Sequence, residues 1–194
     1  MSQISKKEKI IASIILALIG LFIIWVTGLL NMWLNGMSHV MGDSDFKHQS
    51  SLIEEEQTVE LDLSDLSINE GKTLYMNETQ HIYVSEVLEQ EGYYEVVFRS
   101  KGNYGYEGAT LVTGIKYQTD EPYSSTLVAD AVATLNGQTQ ELHTSRSTSL
   151  IYRDGDEFGY YIPKSGIDVS QNHIVEITVT GLVYNRWFNF DRVY

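Results

Sequence analysis

Two hydrophobic periods divide this chain. From Ile10 to Leu30 there is no charged residue over 21 positions, and Ile, Leu, Val and Phe supply most of the stretch. At about 1.5 Å of rise per residue such a helix spans about 31 Å, enough for a hydrocarbon core of about 30 Å. From Thr58 onward the period falls to two. Val59, Leu61 and Leu63 alternate with Glu60 and Asp62, and Ile82 and Val84 alternate with His81, Tyr83 and Ser85. Tyr94, Val96 and Phe98 fall on one side of their run, and Tyr93, Glu95, Val97 and Arg99 on the other. Val175, Ile177 and Val179 repeat the pattern near the end. This alternation is that of half-buried strands.

Turn residues punctuate the strands at Asn69-Glu70-Gly71, Gln90-Glu91-Gly92, Lys101-Gly102-Asn103, Asn136-Gly137, Asp154-Gly155 and Lys164-Ser165-Gly166. Asn136-Gly137 is the sharpest of these. It predicts a two-residue hairpin, because this pair tolerates positive φ at both central positions. Roughly nine to eleven strands are expected after residue 58, with no amphipathic helix among them. The terminal aromatic run (Val183, Tyr184, Trp187, Phe188, Phe190, Tyr194) reads as a strand paired within the sheet. The predicted fold class is mainly β: one N-terminal transmembrane helix, then an antiparallel β-sandwich of jelly-roll type. Between them, residues 31–57 read as a stalk that contains a short helix over Phe46–Glu56. The division is therefore a tail (1–9), a span (10–30), a stalk (31–57) and a β domain (58–194).

The flanks orient the span. Lys6, Lys7 and Lys9 precede it, and no Lys or Arg follows until Lys47. Lysine excess marks the cytoplasmic side, so the N-terminus is expected inside and the β domain outside. Trp25 and Trp33 suit the outer interface. A cleaved signal peptide is the competing reading, but its apolar core is usually shorter and ends in an Ala-x-Ala-like site.

Beyond the span lie 25 acidic and 10 basic residues, a net charge of −15. That repels nucleic acid and an anionic headgroup surface alike and argues against both as partners. The chain has no cysteine, which excludes a disulfide scaffold, a thiolate metal site and an acylated lipoprotein. A bridge-free external domain suggests a bacterial envelope.

No catalytic fingerprint emerges. His39, His48, His81, His143 and His173 form no His-x-x-x-His pair, and no Gly-x-Ser-x-Gly, P-loop or dinucleotide motif is present. Ser44-Asp45-Phe46-Lys47 has the spacing of an acyl-transfer Ser–Lys pair but none of the companion motifs. Asp154, Asp156 and Glu157 fall within four residues, and such hard oxygen ligands suit Ca²⁺. The Asp154-Gly155 turn explains most of that pattern, so no cofactor is implied beyond this candidate. Tyr104 and Tyr106, set among glycines from Lys101 to Gly108, form the candidate ligand-binding loop. The reading that fits is a membrane-tethered, non-catalytic interaction or accessory subunit for another envelope protein. The alternative is a carbohydrate- or wall-binding module, with an enzyme on a sandwich scaffold third.

Overall fold

Gly28 breaks the apolar run in two. The computed structural model describes residues 6–118, 124–165 and 173–189. Helix α1 (Lys6–Val26) has 21 residues, lies exposed along its apolar length, and is long and apolar enough to cross a membrane. It stops at Thr27–Gly28, where Gly28 takes φ +73. The continuous helix thus ends before the Leu30 expected from the sequence. Leu29 and Leu30 belong to a second helix, α2 (Leu29–Asn35), and α3 (Met37–Gly42) follows across Gly36.

The rest is strand. The chain runs β1 (Lys47–Leu52), β2 (Gln57–Asp62), a 3-10 turn (Leu66–Asn69), β3 (Thr73–Met76), β4 (His81–Gln90) and β5 (Tyr93–Lys101). Then come β6 (Asn103–Gly105), β7 (Gly108–Thr113), β8 (Ile115–Gln118), β9 (Ser124–Leu127) and β10 (Asp130–Leu135). The last are β11 (Gln138–Glu141), β12 (His143–Tyr152), β13 (Gly155–Pro163), β14 (Ile174–Thr180) and β15 (Val183–Phe188). Every pairing among the described strands is antiparallel. The sheets have the orders β1-β15-β7-β6, β11-β10-β14-β2 and β12-β13-β5-β4-β3, with β8-β9 as a separate ribbon.

The alternating positions read from the sequence are the buried ones. Val59, Leu61, Leu63, Ile82, Val84, Tyr94, Val96, Phe98, Val175, Ile177 and Val179 join Leu111, Tyr117, Phe158, Tyr160 and Trp187 in one cluster drawn from all four sheets. Burying each such side chain contributes about 1.5–3 kcal/mol. Strand β5 departs from simple alternation. It lies between β4 and β13, and Val97 and Glu95 on its other face are buried too. Arg146 of β12 covers that face. Its Nε donates to Glu95 at 2.9 Å and its Nη1 to Glu86 at 3.0 Å. The Arg146 hydrogen bond, working against desolvation, holds the Glu95 carboxyl below its ordinary range.

The Asn136-Gly137 hairpin forms as expected. Leu135 pairs with Gln138, and the two turn residues have φ of 54° and 76°. Gly137→Ala meets no neighbouring atom, so only its backbone strain should register. A loss of about 1 kcal/mol is expected in a urea titration of the detergent-solubilised protein. The terminal run Val183–Phe188 is a paired strand with Trp187 buried, whereas Phe190, Tyr194 and the Gly166 turn lie outside the described residues.

Residues 31–57 are not a free stalk. Met37, Val40 and Phe46 are core residues, and Lys47–Leu52 is a strand paired with β15 rather than part of a helix. The reason lies in the partners. The Met37 N–H donates to the Arg153 carbonyl at 2.8 Å, and the Ser38 hydroxyl donates to the Leu150 carbonyl at 3.2 Å. Segment Lys47–Leu52 completes the edge that β15 would otherwise leave open. Its alternation is weak because one face only covers the sheet rim, so the sequence pattern does not display it.

Candidate functional site

The Lys101–Gly108 loop folds into a tight hairpin. Gly105 pairs with Gly108, leaving Tyr106 and Glu107 as the turn. β7 then runs beside β15, where Phe188 pairs with Gly108 and Arg186 with Thr110. At Gly108 the strands approach so closely that a Cβ would overlap the Trp187 carbonyl. Alternation puts Gly105, Gly108 and Phe188 in one cross-strand row, and Asn103, Thr110 and Arg186 in the next, on the same face. The two glycines leave bare backbone there. The result is a groove of about 410 Å³ lined by Asn103, Tyr104, Tyr106, Arg186 and Phe188 among others.

Tyr106 is 47% exposed at its lip. The Arg186 guanidinium stands 5.1 Å from the centre of the Phe188 ring. Tyr104 lines the same groove but shares a face with Ala109 and packs partly against the core, so it is less exposed than Tyr106. Tyr104 also borders a second depression, of about 520 Å³, with Arg99, Ile151, Tyr152, Arg153 and Asp154. There Arg99 lies 3.8 Å above the Tyr152 ring and pairs with Asp154 at 3.0 Å.

The expected calcium ligands do not converge. Asp154 sits in the β12–β13 turn and is held by Arg99 and by Lys101 at 3.7 Å. Asp156 points into the core, and Glu157, on the opposite face of β13, accepts from the Tyr152 hydroxyl at 2.6 Å. Alternation along β13 separates the last two carboxylates, and the cations neutralise the first. Among the described residues no three His, Cys, Asp or Glu side chains gather as a metal would require.

Asp156 instead centres a buried polar cluster. Its carboxylate accepts from the Tyr117 hydroxyl at 2.5 Å and from Thr113 at 2.7 Å. The Ser100 hydroxyl is close enough to favour the charged form but closes no hydrogen bond of its own. Burial raises the Asp156 pKa to about 6, with the two hydroxyls opposing the rise. Beside this cluster Asn185 acts as a stand-in peptide. Its amide donates to the Ile115 carbonyl at 3.1 Å, and its oxygen faces the Tyr117 N–H at 3.5 Å and His48 Nε2 at 3.1 Å. It thereby ties the β8–β9 ribbon to β15. Desolvation lowers the His48 pKa, with the Asn185 contact opposing, and the ring packs on Trp187 at 4.9 Å. Asp156, Asn185 and Tyr117 are buried, and their hydrogen bonds tie strands of different sheets together.

Compared with protein-family models, curated proteins and solved structures, the chain matches none of them significantly.

Sequence reasoning named Asp156 only as a calcium ligand and not as the centre of a buried cluster, and it missed Asn185 and Gln80. Gln80 is buried just before β4 and reaches β7, where its amide donates to the Thr110 hydroxyl at 2.7 Å and its oxygen takes the Val112 N–H at 2.9 Å. Each is a polar residue buried beside a strand end or at an inward strand position. That placement was the available signal.

Proposed function

We propose that this chain is a single-pass membrane protein of a bacterial cell envelope, with its N-terminus in the cytoplasm. Its outer body is an antiparallel β-sandwich of jelly-roll type, serving as a non-catalytic interaction or accessory subunit for another envelope protein. The observation that carries this reading is the groove at the β6–β7 hairpin. Tyr106, Phe188 and Arg186 gather there over bare glycine backbone, and aromatic rings with arginine are the residue types that anchor protein interfaces. The groove lies at the α3 end of the body, since Phe188 pairs with Lys47, five residues beyond Gly42. A partner reaching it stands at the height of the membrane, as a neighbouring membrane subunit would.

A photo-crosslinking amino acid at position 106, in otherwise native membranes, tests this. A discrete adduct is expected, and Arg186→Ala with Phe188→Ala should reduce it about tenfold, in keeping with the loss of two interface anchors. No adduct, or an adduct indifferent to those changes, would overturn the reading. The second reading, glycan binding, draws on the same groove, whose volume and ring faces also suit a small saccharide. Calorimetric titration with wall-derived oligosaccharides, showing heat that Tyr106→Ala abolishes, would favour it.

A further inference from the structure

Resting on the reading that α1 spans the membrane, we infer that the β body is seated directly on the outer leaflet of that same bilayer. α2 and the β12–β13 tip form the contact surface, and lipid is its partner. Only Thr27 and Gly28 separate helix α2 from α1, and α2 carries no charge. It buries Met32 against the protein and leaves Leu29, Leu30, Trp33 (65%) and Leu34 exposed. A short helix with an uncharged apolar face and a tryptophan, continuous with a span, belongs in the headgroup boundary.

The body cannot swing clear of that helix. Gly36 adopts φ +58 and ψ −133, which brings the chain against the Arg153 backbone. The Met37 and Ser38 hydrogen bonds lie next to that contact. The Arg153 guanidinium donates to the Trp33 carbonyl, with its centre 5.6 Å from the Trp33 ring. The β12–β13 tip therefore sits at the level of α2. Ile151 (57% exposed) adjoins this tip, and Met76 (68% exposed) ends β3 at the same end, since it pairs with His81 and His81 pairs with Lys101.

Charge is distributed to match. Lys47, Arg99, Lys101, Arg153 and Arg186 gather at the α3 end, where Asp43, Asp45, Glu78, Glu107 and Asp154 offset them, leaving that end close to neutral. The run Glu54–Glu56 leaves the opposite end of β1, and Glu89 and Glu91 lie at the far β4–β5 turn. Nine residues of β5 place that turn about 30 Å away. An acidic body is thus turned with its least acidic end toward the headgroups.

The absence of cysteine makes the test direct. Single variants Ile151→Cys, Met76→Cys and Glu91→Cys of the full chain are labelled with an environment-sensitive fluorophore. They are then reconstituted in phosphatidylcholine–phosphatidylglycerol vesicles, some containing lipids brominated on the acyl chains. Labels at 151 and 76 should emit to the blue and be quenched by about half, while the label at 91 stays water-like and unquenched. Labels at 151 and 76 that match the one at 91 would overturn the seating. Alkaline extraction of the same vesicles separates the two ideas. If the protein washes out, the spanning reading fails and takes the seating with it; if it stays while position 151 is aqueous, the seating alone is wrong.

Discussion

Gly36→Ala will undock α2 and α3 from the β body. The φ +58, ψ −133 conformation is open to glycine almost alone, and a Cβ there would collide with the carbonyl, carbon and Cα of Arg153. Backbone strain of about 1–3 kcal/mol adds to the steric overlap. If the chain relieves the overlap by separating, it loses the burial of Met37 and Val40, about 1.5–3 kcal/mol each. A total of about 3 kcal/mol or more is expected as a lower thermal midpoint in detergent, together with new protease cleavage between Gly36 and Phe46. Gly42→Ala is the matched control. Its Cβ meets nothing within 4 Å and its φ is not positive, so it should change stability by no more than about 0.5 kcal/mol. Equal behaviour of the two variants would show that residues 36–42 are not clamped as described.

Asp156→Asn should remove a pH dependence that runs opposite to that of most surface carboxylates. Burial lifts the folded pKa of Asp156 to about 6, above the 3.8 of a free carboxyl. Between those values the folded state holds more protons than the unfolded state, so raising the pH costs stability. The contribution of this group is greatest below about pH 4 and is lost as pH rises through 6. Two pKa units correspond to about 3 kcal/mol. Asp62 and Glu95 are held below their ordinary values by hydrogen bonds from Ser64 and Arg146, and act in the opposite direction at lower pH. Both remain in the variant, so the difference between wild type and Asp156→Asn isolates the buried group. That difference, from denaturant titrations at pH 4, 5.5 and 7.5, should move by up to about 3 kcal/mol in favour of the variant as pH rises. A flat difference would mean the carboxylate is solvated or better paired than its surroundings indicate.

What could be read from the residues follows a physical division. Strands with one face buried advertise themselves, as Val59-Leu61 and Val175-Ile177-Val179 do, because solvent enforces alternation. Asn136-Gly137 was equally plain, because its turn demands particular φ values. Lys47–Leu52 was invisible for the opposite reason. An edge strand of Lys, His, Gln and Ser owes its place to the hydrogen bonds of β15, and no local pattern encodes a distant partner. The same holds for Met37 and Val40, whose burial depends on a hairpin more than a hundred residues away. At the candidate site the loop was legible but the division of labour was not. Strand pairing turned Tyr104 toward Ala109 and the core, the turn after Gly105 left Tyr106 at the lip, and β15 brought in Arg186 and Phe188. Asp156 shares parity with the buried Phe158, Tyr160 and Ile162, so its inward aim follows from counting by two along β13 once the strand is in place.

The pairing of β1 with β15 has a consequence for biogenesis. On the proposed topology, in which the body is exported N-terminal end first, β1 waits for β15, the last described strand, and β7 stays without its β15 neighbour throughout. Closure is thus a late, long-range event. A chain arrested part-way across would expose unsatisfied strand edges next to the translocation channel, where a holding chaperone or a quality-control protease would find its substrate.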